Sequence, residues 1–131
     1  MTSATRAGLR EARVGDLLPD DALAPRSVRG VEATALVLPG SGNLDGYLAP
    51  LEQARDAFAA WDGRVLALEP DGAALHRVLV VDRYGQVYHA LDAPEQGLPD
   101  AAELEEWFRF LTTACPECGV LDDPIGRGWV P

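Results

Sequence analysis

The stretch of this chain best equipped for chemistry is Cys115-Pro116-Glu117-Cys118-Gly119, which holds its only two cysteines with two residues between them. Two thiols at that spacing can close a disulfide and so exchange electrons with another dithiol. They can instead supply two of the four tetrahedral ligands that zinc takes. They can also stand in a turn as two small, buried, weakly polar groups. Cys115 and Cys118 are therefore the candidate catalytic residues, and under the second reading the candidate metal ligands. In a reducing compartment a close pair of this kind is a dithiol or a metal pair before it is a structural staple.

The local electrostatics bear on the first reading. A reactive thiol is usually placed at the N-terminus of a helix, where the amide dipoles favour the thiolate. Cys115 instead follows a stretch with helical periodicity, so it meets the carbonyl end, and Glu117 adds a like charge. Both effects raise a thiol pKa. The residues after Cys118, "GVLDDPIGRGWVP", are too rich in Gly, Asp and Pro to supply a helix that reverses this. Slow exchange or redox sensing is the redox role that fits, and fast peroxide reduction is not expected.

For the metal reading, C-P-x-C-G resembles the knuckle of rubredoxins and zinc ribbons, in which Pro stiffens the turn and Gly lets the backbone bend around the sulfurs. A second knuckle is missing. The other two ligands would come from His76 and His89, or from the same cysteines of a second subunit across a two-fold axis. No cofactor is expected under the redox reading, and zinc is the cofactor under this one. A homodimer or a protein partner is the expected association in either case. Trp129, in the loose C-terminal stretch, is expected to dock on this subunit or on a partner.

Other stretches offer less. "PGSGNLDG" sets glycines between a strand and a helix, as phosphate loops do, but it lacks the Lys-Ser/Thr of a P-loop and the spacing of a dinucleotide fingerprint. These glycines are read as turning the chain. Ser41 and Asn43 remain as donors to a small ligand, and Asp45 as an N-cap. His76 and His89 fall at the ends of an expected hairpin, where edge or surface positions are ordinary. Glu103, Glu105 and Glu106 form a solvated helix face near its positive end.

The chain must position these groups with 131 residues, 47% of them hydrophobic, enough for one core and too few for two ordinary domains. A formal charge of -10, with all 11 basic residues Arg, leaves no basic surplus for a phosphate backbone, so no nucleic-acid partner is expected. No apolar run approaches the roughly 20 residues of a membrane helix, and the N-terminus lacks an apolar secretion segment. A cytoplasmic protein with no membrane contact is the expectation.

Residues 1–30 show little periodicity and read as an arm anchored by Leu17, Leu18 and Leu23. "ATALVLPG", from Ala33 to Gly40, is a short apolar run that suits a strand buried on both faces. From Leu48 to Trp61, the spacing of Leu48, Leu51, Ala54, Arg55 and Phe58 predicts one amphipathic helix, with Gly63 following as a stop. Arg64 to Pro70 is a second strand, which completes a βαβ unit. His76 to Leu91 predicts two antiparallel strands around Asp82-Arg83-Tyr84-Gly85. Asp100 is placed to cap a helix in which Leu104, Trp107, Phe108 and Leu111 share one face, with Glu103 in capping-box position.

A βαβ unit followed by a hairpin and a closing helix is the order of elements in the thioredoxin fold. "VGDLLPDDAL" resembles the leading segment of peroxiredoxin-like redoxins. "ALVLPG" with "LAPLEQARDAFAAWDGRVLAL" is similar to their first strand, active-site helix and second strand, and "VLVVDRYGQVYHA" is similar to their hairpin. Together these cover residues 14–113. The resemblance implies an α/β fold, a thioredoxin-like three-layer sandwich on a central mixed sheet, with an arm at 1–30, a core at 31–113 and a CPECG tail at 114–131. It also implies a reactive cysteine between the first strand and its helix. Here that segment reads "GSGNLDGY", and Leu44 and Tyr47 stand about where sulfurs would be. The family's cis-proline before the hairpin is replaced by His76 or Arg77, neither of which holds a cis bond without a cost of about 2.5–4 kcal/mol. The family's second helix is shortened to "PDGAAL". The resemblance thus implies a redoxin scaffold without its usual peroxidatic cysteine, acting through the C-terminal CxxC as an atypical thiol-disulfide oxidoreductase or redox-responsive protein. The alternative is a non-catalytic binding or assembly module with CPECG as a zinc or structural knuckle.

Overall fold

The structure is a computed structural model, described for residues 8–19, 22, 30 and 32–113. Its centre is a four-stranded mixed sheet built from β1 (Ala33–Leu38), β2 (Gly63–Ala67), β3 (His76–Val81) and β4 (Val87–Ala93), in the order β2-β1-β3-β4. β1 and β2 run parallel, while β3 is antiparallel to both β1 and β4. Helices α1 (Asp45–Gln53) and α2 (Arg55–Ala59) link β1 to β2, and α3 (Ala101–Thr113) follows β4 after a 3-10 turn at Glu95–Gly97. The α/β class and the sequence of βαβ unit, hairpin and closing helix are as expected. No helix among the described residues is long and apolar enough to cross a membrane.

β1 and β3 are buried along their whole length. Side chains alternate across a strand, so the continuous apolar runs feed two cores. Ala33, Ala35, Val37, Val78 and Val80 face the helices and pack with Leu51, Phe58, Leu104 and Phe108. Phe58 and Phe108 meet edge to face at 5.2 Å. On the opposite face Leu36, Leu38, Leu79 and Val81 pack with Leu9, Ala12, Leu18 and Ala22. Each fully buried Leu or Val of this kind contributes about 1.5–3 kcal/mol. The second face is therefore covered by the N-terminal segment, which has one helical turn at residues 8–11, rather than by a layer of long helices.

Three local expectations need correction. Leu17 is not an anchor. It is 62% exposed, because residues 15–18 run as an extended edge along the outer side of β4, where Gly15 N donates to Val87 O, Val87 N to Asp16 O and Leu18 N to Gly85 O. Alternation then turns Leu18 inward and Leu17 outward. Leu9, Ala12 and Ala22 do the rest of the anchoring, and Leu23 lies outside the described residues. The single helix expected over Leu48–Trp61 starts earlier, at Asp45, and is broken at Ala54 into α1 and α2. Pro50 sits inside α1, and a proline that cannot donate weakens the ladder just before the break. β2 ends at Ala67, short of Pro70.

The hairpin turn is held as its sequence suggests. Asp82 Oδ1 accepts from Tyr84 N and Gln86 N, both at 2.9 Å, and Gly85 takes the left-handed conformation at φ 92°. Asp100 caps α3 by accepting from Glu103 N at 2.9 Å. Trp107 and Leu111 are half-buried against the same core as Leu104 and Phe108. Glu105, placed on the solvated face, is half-buried and accepts from Trp61 Nε1 at 3.4 Å.

Candidate functional site at the end of the first strand

The loop from Pro39 to Leu44 lies where β1 ends and α1 begins. It is packed shut. Ser41 N donates to Ala73 O at 2.7 Å and Asp71 N to Pro39 O at 3.2 Å. The Ser41 hydroxyl also donates to Ala73 O, at 3.0 Å, so it is not directed at a ligand. A Cβ at Gly40 would come within 2.5 Å of the carbonyl oxygens of Ala73 and Leu75, a close approach that only glycine permits. The shortened "PDGAAL" segment is thus the lid of this loop.

Arg10, from the N-terminal segment, fastens the arrangement. Its guanidinium grips Asp71 through two 2.8 Å contacts and donates to Leu75 O at 2.8 Å and to Leu38 O and Pro39 O at 3.2 Å. The planar fork suits this multiple role. Hydrogen bonding from Arg10 holds the Asp71 carboxyl down at about 2, below its ordinary 3.8.

His76 begins β3 beside the loop and is 6% exposed. Its Nδ1 accepts from Gly40 N at 2.9 Å, so that nitrogen is unprotonated and already occupied. Arg77, the next residue, turns to the opposite face. It donates to Leu9 O at 3.2 Å, to Ala12 O, and to Asp92 Oδ2 at 2.9 Å. Both His76 and Arg77 are thus spent on fixing neighbouring chain.

At the helix start the N-cap residue is Leu44, which is buried and supplies no side-chain cap, while Asn43 Oδ1 just before it accepts from Asp45 N at 2.6 Å. This corrects the expectation that Asp45 is the cap. Tyr47 is buried and donates its hydroxyl to Pro99 O at 2.7 Å. Burial, then the nearby Glu103 and Asp100 carboxylates, push its pKa above the ordinary 10.0 and keep it a neutral donor. No thiol stands at this end among the described residues, and the side chains of Arg10, Ser41, His76 and Tyr47 each bond to neighbouring chain.

The two histidines do not converge. His89 pairs across from Val80, four residues along β3 from His76, or about 13 Å at strand rise. Its ring stacks on Trp107 at 5.3 Å, away from the loop. They cannot be read as neighbouring ligands that complete one zinc site, and the described residues contain no group of three or more His, Cys, Asp or Glu able to hold a metal. His89 Nε2 is buried with no hydrogen-bond partner among the described residues. Sequence reasoning gave no hint of this, because burial of a half-exposed edge residue depends on which helix packs beside it.

Cys115, Cys118 and Trp129 lie outside the described residues. The end of α3 that leads to the cysteines is placed, however. Thr112 Oγ1 donates to Trp61 O, next to the start of β2, and β2 starts beside the start of β1. The loop at Gly40 is at the other end of β1, six residues and about 17 Å away. Comparison of the chain with family models, with curated proteins and with solved structures finds no match.

Proposed function

We propose that this chain is a thioredoxin-like scaffold whose ordinary redox position is closed, and that its redox function, as an atypical thiol-disulfide oxidoreductase or redox-responsive protein, resides in Cys115 and Cys118. The observation that carries the reading is the sealed loop. Arg10, Asp71, Ser41 and His76 consume the polar groups around Gly40, and Leu44 fills the helix start. The element order and the mixed sheet support the scaffold.

On this reading the first thiol lies away from the loop. Cys115 follows Thr113 by two residues, and two extended residues reach about 7 Å at most. Cys115, two residues past the end of α3, would on this reading meet the carbonyl end of that helix, which disfavours a thiolate. Exchange would run through attack of the minor thiolate form on a partner's disulfide. The mixed disulfide is resolved by the second cysteine, which leaves Cys115–Cys118 oxidised and the partner's two thiols reduced.

The test is alkylation of the reduced full chain across pH. The expected result is a thiol pKa at or above about 8.5 for both cysteines, a reversible Cys115–Cys118 disulfide by mass spectrometry, and no rapid turnover of hydrogen peroxide. A strongly acidified thiol, or fast peroxide reduction, would overturn the reading.

The second reading is a non-catalytic binding or assembly module with CPECG as a zinc or structural knuckle. It draws on His89, whose Nε2 is buried and unpartnered among the described residues. Metal analysis of protein purified without a chelator separates the two. Zinc that is lost in a Cys115→Ser variant supports the knuckle, and metal-free dithiol supports the redox reading.

A further inference from the structure

The two edges of the sheet are treated differently. Residues 15–18 pair with the outer side of β4 at Gly85–Val87, but β2 has β1 as its single partner among the described residues. Ala33 N donates to Asp62 O and Leu68 N to Val37 O, so the even-numbered residues of this stretch turn their backbone groups toward β1. Those of Val65 and Ala67 then point away from the sheet. Val65 is half-buried and Ala67 exposed. A free edge of this kind accepts an added strand.

Alongside that edge runs a groove of about 750 Å³ between β2 and the α1–α2 pair. Its apolar floor includes Leu48, Leu51, Phe58 and Val65. Its rim carries Glu32, Asp45, Glu52 and Asp56 against two arginines. Both arginines are already engaged. Arg55 pairs with Glu52 at 3.0 Å, and Arg64 lies 3.9 Å from Glu32 and donates to Thr34 Oγ1 at 2.8 Å. Asp45 and Asp56 are left without a cationic partner among the described residues.

We infer that the β2 edge and its groove form a docking site for an extended, basic peptide segment of a partner protein. The segment adds as a strand to Val65 and Ala67, sets an apolar side chain into the groove, and places Arg or Lys against Asp45 and Asp56. Charge decides between occupants. A second copy would bring the same acidic rim and a net charge of -10 to its own. The chain's own 114–131 segment is also acidic, with Glu117, Asp122 and Asp123 against Arg127. Like charges across an interface disfavour both, whereas a basic strand is attracted.

The probe is a fluorescein-labelled heptapeptide alternating Arg and Val around a central Phe, titrated into the full chain and followed by anisotropy. The counterpart has Glu in place of each Arg. The basic peptide is expected to bind at least about tenfold more tightly than the acidic one, and to weaken as salt is raised. Its amide shifts should concentrate at Gly63–Glu69. An Asp45→Asn/Asp56→Arg variant, exposed and outside the core, should lose about fivefold or more in affinity with an unchanged circular dichroism spectrum. Ala67→Pro, at a position where an edge strand tolerates proline, should weaken binding by removing the outward amide. Equal binding of the two peptides, indifference to the double substitution, or shifts that map elsewhere would each overturn the inference. So would exchange protection of Val65 and Ala67 amides in the free chain, which would mean the edge is already filled by residues 114–131 or by a second copy.

Discussion

Arg77 is buried, with its side chain 8% exposed, and it carries three bonds that no aliphatic residue could replace. Arg77→Ala removes the side-chain donor of the Ala12 carbonyl, leaves Leu9 O with the Ala12 amide alone, and loosens the N-terminal segment from the sheet. Urea unfolding should show a loss of about 3 kcal/mol. Asp92→Asn, at a half-exposed partner, should cost under about 1 kcal/mol. Equal effects would mean that the ion pair matters and the carbonyls do not. Asp71 gives a pH signature. Its folded pKa lies below its unfolded value, so its stabilisation is complete above about 3.8 and is lost as pH falls through about 2. Because solvent reaches the pair, the contribution is at most about 1 kcal/mol. Asp71→Asn should remove that part of the acid dependence, and an unaltered acid limb would count against the Arg10 clamp. None of this was legible in the sequence. Arg10 and Asp71 are 61 residues apart, and a local pattern carries no information on a pair that meets only when the arm crosses the sheet.

At the scale of elements, α3 seats against the sheet through one missing side chain. A Cβ at Gly63 would come within 2.3 Å of the Phe108 ring. Gly63→Ala should therefore destabilise by about 1–3 kcal/mol through overpacking, with α3 displaced outward. Loss of the near-ultraviolet dichroism of Trp61 and Trp107 would report the displacement, and full retention of both stability and signal would contradict the packing. The sequence reads Gly63 as a helix stop, but the left-handed residue after α2 is Asp62, at φ 55°, and Gly63 already begins β2. Its role there, admitting the Phe108 ring, belongs to an element 45 positions later. The same division applies to the helices. Periodicity located the apolar face of Leu48, Leu51 and Phe58, and the Asp100 cap, because those signals repeat within a few residues. It ran α1 and α2 together because apolar spacing continues across Ala54 whether or not the backbone does.

For the whole molecule, the N-terminal segment is a structural layer. Leu9, Ala12, Leu18 and Ala22 cover Leu36, Leu38, Leu79 and Val81, so removal of residues 1–22 should expose that face. The truncated chain is expected to bind an apolar dye and to aggregate, as measured by fluorescence and light scattering, where the full chain does neither. A well-behaved truncated monomer would show that the layer is dispensable. The sequence by itself determined the strands, the hairpin, the capped last helix and the absence of a thiol between β1 and α1, because each is written in contiguous residues of period two or 3.6 or in residue identity. The fold in three dimensions was needed to show that the N-terminal segment covers a face of the sheet, that Arg10 and His76 close the loop at Gly40, and that β2 has a single strand partner among the described residues beside an acidic groove. Those features depend on which distant segments come to lie together, and that choice is made by burial and by pairing of polar groups across the fold, not by any local preference of the chain.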